Sequence, residues 1–205
     1  MRPALTRSQR FAVALVLNLV LVAGLVIVGV TAHSLGVLAA GADYLADAAA
    51  IGVAIVAIRV SDKHPRANAF AALVNGSWML VLSILIIGSG ADRLISGTPA
   101  VHGLPVLVMS AIAAAVMTSA AVVLGIDVDD DDGDEALSHR AILLDTAADA
   151  ASATGVAITG AIIFATGSWN WLDPAVALVI AVVVAYHAIG LLRKVRQAVL
   201  RPTQA

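Results

Sequence analysis

Cysteine is missing from all 205 residues, which excludes disulfides and thiolate metal ligation and leaves the redox compartment unmarked. Charge is scarce too. Only 13% of residues are charged while 60% are hydrophobic, and mean hydropathy is +0.97. Soluble domains sit near 25% charged and 45–50% apolar. That shortage excludes water as the solvent of the folded chain and makes membrane lipid its surroundings. Nothing in the sequence points to nucleic acid as a partner.

Long apolar runs are what the sequence has. A hydrocarbon core about 30 Å thick needs roughly 20 apolar residues of helix. Six runs of that kind are expected to span: Phe11–Thr31, Val37–Val60, Ala69–Asp92, Gly103–Ile126, Arg140–Thr166 and Pro174–Leu192. A barrel strand needs only about ten alternating residues, so continuity selects helices. Arg2, Arg7 and Arg10 precede the first run, but its apolar stretch is too long for a signal-peptide core and should stay attached. The fold class is therefore an all-α membrane protein, a six-transmembrane-helix bundle. Short connections leave no room for a soluble domain, so residues 1–205 read as one membrane domain with none following Leu192.

Cations orient the bundle. With a cytoplasmic N-terminus, eleven of the twelve Lys and Arg residues fall inside and only Arg93 outside, which puts both termini in the cytoplasm of a bacterial inner membrane. Alanine, glycine and serine recur through the spans, as in Ala46-Asp47-Ala48-Ala49-Ala50, and let helices pack closely. Trp78, Trp169 and Trp171 read as interface or packing residues.

Four carboxylates interrupt the apolar runs. Asp43 and Asp47 fall in the second span and Asp145 and Asp149 in the fifth, each pair four residues apart. A charge at mid-membrane costs on the order of 3 kcal/mol, so such residues are read as functional. Positions i and i+4 share a helix face, and each pair can point two carboxylates at one ion. Two facing helices would supply four oxygen donors to a divalent cation. Close carboxylates repel unless a cation or a proton intervenes, so metal must compete with protons, the basis of proton-for-metal exchange. Span midpoints set the second-span pair nearer the outside and the fifth-span pair nearer the cytoplasm, by about 10 Å at 1.5 Å per residue.

Half of the fourteen acidic residues, Asp127, Asp129, Asp130, Asp131, Asp132, Asp134 and Glu135, crowd the connection between spans four and five. Such a block reads as a solvated connector or as a patch concentrating divalent cations at the pore mouth. The histidines His33, His64, His102, His139 and His187 all read as solvated or interfacial, and Asn75 as bonded either to a neighbouring helix or to a site aspartate.

Asp43-Tyr44-Leu45-Ala46-Asp47 and the run from Arg140 through Asp145-Thr146-Ala147-Ala148-Asp149 to Ser152 resemble the second- and fifth-span motifs of the cation diffusion facilitator family. Ala72-Leu73-Val74-Asn75-Gly76, Val101-His102-Gly103 and Asp173-Pro174 are similar to family patterns as well. The resemblance implies a six-span transporter that exports divalent transition metals, not an enzyme. Its metal site would be Asp43, Asp47, Asp145 and Asp149. It also implies zinc as cargo, with manganese, iron, cobalt and cadmium open, and the proton as counter-ion rather than any resident cofactor. Many zinc-transporting members carry histidine where this chain has Asp145, and carboxylates suit harder ions such as Mn²⁺. The family's cytoplasmic domain has no counterpart after Leu192, so dimerisation would fall to the membrane helices.

Two other readings compete. Asp129-Asp130-Asp131-Asp132-Gly133-Asp134-Glu135-Ala136 imitates the start of the CDP-alcohol phosphotransferase motif, a membrane enzyme signature, but Leu137 stands in place of its arginine and the later aspartates fall out of register. A non-transporting scaffold would leave the aspartates without consequence.

Overall fold

The computed structural model describes residues 7–60, 67–128 and 134–200. These form six α-helices: α1 (Arg7–Thr31), α2 (Leu35–Val60), α3 (Ala67–Ser96), α4 (Gly103–Val128), α5 (Asp134–Thr166) and α6 (Leu172–Leu200). No strand occurs among the described residues, and each expected span finds one helix. The helices overrun the expected spans, most at α5, which begins at Asp134 rather than Arg140, and at α6, which runs on to Leu200. Hydropathy marks where lipid ends, whereas the backbone ladder continues into water wherever nothing breaks it.

Breakers act at the other ends. Gly97 and Gly167 follow α3 and α5 with φ of 110° and 61°, and their amides donate to the carbonyls of Arg93 and Ile163, at 3.1 and 2.9 Å. A glycine in this left-handed conformation closes a helix without a Cβ penalty. Pro174 lies in the first turn of α6, where its missing N–H costs nothing.

Stretches of α3, α4, α5 and α6 are long and apolar enough to cross a membrane, and α1 adds the shorter run Asn18–Thr31. Their outer faces carry large apolar side chains, among them Ile27, Phe70, Leu85, Val122 and Val179. In water that surface would drive aggregation; in lipid it is the solvated face, while every helical backbone bond is satisfied internally. The chain is thus an all-α, multi-pass membrane protein.

Two helix pairs dominate the packing, α4 with α5 and α3 with α6. The first is a backbone-to-backbone approach. A Cβ on Gly103 would lie 2.4 Å from the Phe164 nitrogen, and one on Gly160 would lie 2.6 Å from the Leu107 nitrogen. Small residues at a crossing permit such closeness in lipid, where dispersion rather than water release drives association. The buried core, including Leu25, Val37, Tyr44, Val106, Val156 and Ile180, lies between α1, α2, α4, α5 and α6. By contrast α2 meets α5, and α5 meets α6, only sparsely.

At the end of the bundle where α2 begins, the chain is tied by polar groups. Asp173, fully buried at the start of α6, accepts hydrogen bonds from the Ser34 hydroxyl and from the amides of Leu35 and Gly36, the last two at 2.6 and 3.2 Å. A side chain from α6 thus caps the N-terminus of α2, taking up amides that helix geometry leaves unpaired. Arg93 of α3 lies 4.0 Å from the same carboxylate and donates to the carbonyl of His33 at 2.6 Å. His33 itself takes a left-handed φ of 57° in the tight α1–α2 turn.

Asp129, Asp130, Asp131 and Asp132, with His64, Arg66 and both chain ends, lie outside the described residues.

Candidate metal site

Each aspartate pair sits on one face of its helix, as the four-residue spacing requires, and the two faces meet. Asp43 and Asp47 of α2 and Asp145 and Asp149 of α5 line a single cavity of about 220 Å³. At about 30 Å³ per water in the liquid, that space accommodates a hydrated cation. The offset of about 10 Å expected from span midpoints does not keep the pairs apart, since all four aspartates line the one cavity.

Burial differs among the four. Asp149 is buried with 9% of its surface exposed, Asp43 and Asp47 are intermediate, and Asp145 is exposed. Asp43, Asp47, Asp145 and Asp149 stand within electrostatic reach of one another across the helix interface. Carboxylates this close repel one another unless a proton or a cation comes between them. Among the described residues no salt bridge reaches these carboxylates, and no three histidine, aspartate or glutamate side chains are gathered tightly enough to hold a metal ion as they stand.

The remaining walls come from α3 and α6. Asn75 and Met79 contribute from α3, Ser152 from α5, and Ile180, Val183, Val184, His187 and Leu191 from α6. Towards the start of α2, the space that Asp43 shares with Met79, Ser83 and Val184 shrinks to about 10 Å³. The cavity therefore extends towards the Leu191 end of the bundle and is nearly filled at the other.

Two features, His187 and Tyr44, escaped the sequence reading, and a third, Asn75, is the residue that reading left between a neighbouring helix and a site aspartate. His187, expected at the interface, stands on the cavity wall although exposed. Asn75 also lines the cavity; its amide nitrogen contacts the Met79 sulfur at 3.7 Å, while its buried side-chain oxygen has no partner. Tyr44, between the two α2 aspartates, is fully buried, and its hydroxyl donates to the backbone carbonyl of Asp149 at 3.2 Å. For His187 and Tyr44 only the packed structure supplies a signal.

The family model of the cation efflux transmembrane domain matches residues 11–200. Among curated proteins, the cadmium, cobalt and zinc/H(+)-K(+) antiporter of Bacillus velezensis is 26% identical over 189 residues, covering 84% of this chain and 59% of that protein. The zinc transporter ZitB of Pectobacterium atrosepticum is 28% identical over 196 residues, with 91% and 59% covered. The antiporter of the same description from Bacillus subtilis is 25% identical over 183 residues, with 83% and 57% covered. The chain spans about three fifths of the length of these relatives. A match running through nearly the whole helical bundle, with both aspartate pairs inside it, means that the chain belongs to the cation efflux family.

Proposed function

We propose that the protein exports divalent transition-metal cations across a bacterial inner membrane, exchanging them for protons at Asp43, Asp47, Asp145 and Asp149. The observation that carries this reading is the convergence of both aspartate pairs on one cavity, with no salt bridge to them among the described residues. Four carboxylates without a cation repel, and their proximity is stable only when protons or a metal ion neutralise them. Deprotonated carboxylates are the metal ligands, so each metal that binds releases protons and each proton that binds weakens the metal. Alternating access then couples the two flows, because the two ligands favour different occupancies of one site.

Zinc is the first expectation for the cargo, supported by the names of the curated relatives, which also mention cadmium and cobalt. The all-carboxylate donor set keeps manganese and iron open, since oxygen ligands suit harder ions. Both termini are cytoplasmic in this reading, which places Arg93 outside with the Asp173 cap, and the cavity then extends towards the cytoplasm. The protein works as a homodimer paired through its membrane helices.

The test is uptake into inverted membrane vesicles carrying a pH-sensitive dye, with Zn²⁺, Mn²⁺, Fe²⁺, Co²⁺ and Cd²⁺ supplied in turn. Transported metal should enter while protons leave. Metal flux at full rate with no proton movement, under clamped voltage, would mark a passive channel instead.

A further inference from the structure

Bringing two pairs of carboxylates together requires something that opposes their repulsion, and helix packing supplies little of it. α5 is held chiefly by α4 on its far side, and its contact with α2 is sparse. Tyr44 lies at that contact. It occupies the turn between Asp43 and Asp47, is fully buried, and donates its hydroxyl hydrogen to the Asp149 carbonyl at 3.2 Å. Asp43, the residue before Tyr44, lines the same cavity as Asp149, so the tie holds the main chain of α5 beside the α2 aspartates.

We propose that Tyr44 is a positioning residue that holds the α2 and α5 aspartate pairs in register across the cavity. This rests on the reading of that cavity as the metal site. The chemistry of the tie suits the task in two respects. A phenol is neutral, so it does not compete with a cation for the carboxylates as lysine or arginine would. It also bonds the backbone of Asp149 rather than its side chain, which leaves the carboxylate free to turn into the cavity while the main chain stays in place. The acceptor is a carbonyl inside a helix, able to keep its own ladder partner, so removing the hydroxyl orphans no buried group. The tie therefore acts on register more than on folding.

Tyr44→Phe in the purified full chain tests this, with Asp47→Ala as reference. Zn²⁺ affinity is measured by calorimetry, ligand geometry by the visible absorption of bound Co²⁺, and stability by thermal melting without metal. The expected result is a melting midpoint within a few degrees of wild type, a Zn²⁺ dissociation constant raised about three- to tenfold, the order of one neutral hydrogen bond, and an altered Co²⁺ spectrum. In vesicles the same variant should raise KM, which does not depend on the fraction of the protein that folds, with little change in kcat per folded molecule. A wild-type dissociation constant and Co²⁺ spectrum, or a lowered midpoint with both unchanged, would overturn the proposal and leave Tyr44 as packing. If Asp47→Ala binds Zn²⁺ as tightly as wild type, the cavity is not the metal site and the role of Tyr44 falls with it.

Discussion

Asp173 and the four cavity aspartates are the same residue type in the same helical bundle, and their surroundings are opposite. Asp173 is fully buried and accepts three hydrogen bonds at the start of α2, with the Arg93 guanidinium 4.0 Å away. Asp43, Asp47, Asp145 and Asp149 face a cavity and one another, with no salt bridge among the described residues. Burying a carboxylate is tolerable when its lone pairs are filled, and Asp173 meets that condition within the protein. Among the described residues no salt bridge meets it for the cavity aspartates, and on the proposed reading an incoming cation or protons do. Satisfaction of the charge thus separates a carboxylate that builds the bundle from carboxylates that, on the proposed reading, serve a cargo.

Replacement by alanine should therefore act in opposite directions at the two places. Asp47→Ala or Asp149→Ala should lower metal transport in inverted vesicles by at least about a hundredfold, because a ligand is lost where each is worth several kcal/mol. Thermal stability without metal should hold or rise, since a repelling charge has gone. A variant that transports at half the wild-type rate would remove these residues from the site.

Asp173→Ala should do the reverse. It strands the Ser34 hydroxyl, two amides and a nearby guanidinium, at a cost of about 3 kcal/mol, the usual range for breaking a buried polar pair. The melting midpoint should fall by several degrees, while transport per folded molecule stays within a fewfold of wild type. Wild-type stability would show that water replaces the cap at no cost and that the contrast between the two regions is overstated.

How much of this contrast the sequence discloses depends on the distance over which each feature is encoded. The six helices were legible because an apolar run of about 20 residues has few alternatives in lipid. Both aspartate pairs were legible because i and i+4 share a face whatever the helix packs against. The capping of α2 by Asp173 was not, since Ser34 and Asp173 lie 139 positions apart and no local pattern marks a cap supplied from another helix. Tyr44 read as part of an apolar stretch, because the acceptor of its hydroxyl is a backbone carbonyl, which every residue has. His187 was placed at the interface by counting from the end of its apolar run, yet α6 continues to Leu200 and carries it along the cavity wall.

Protons supply a third comparison. On the proposed reading metal binds the deprotonated cavity carboxylates, so lowering the pH should fill the site with protons and weaken apparent affinity, by about tenfold per pH unit for each proton displaced. Raising the pH strengthens it until the carboxylates are fully ionised. Calorimetry in two buffers of different ionisation enthalpy counts the protons released per metal. In Asp173→Asn that count should be unchanged, because Asp173 faces helix amides and not the cavity. A count of zero in the wild type would break the link between the cavity and proton exchange.

Asp129, Asp130, Asp131 and Asp132, read from the sequence as a solvated connector, take the comparison to its limit and carry the smallest expected effect. Carboxylates in water need no partner, since the solvent satisfies them, and their influence on a cation at the pore mouth is a field that salt screens within about 10 Å at 0.1 M ionic strength. Neutralising Asp129, Asp130, Asp131 and Asp132 together as asparagines should therefore raise the apparent KM for metal only two- to threefold at low salt, by order of magnitude of such steering. kcat should not change, because no ligand is lost. Near 1 M salt, where the screening length falls to about 3 Å, the variant and the wild type should become indistinguishable. Initial rates of uptake across a series of salt concentrations measure this. A loss of transport as complete as that of Asp47→Ala, at any salt, would mean that these carboxylates bind the cargo directly, and satisfaction by solvent would no longer divide the acidic residues of this chain.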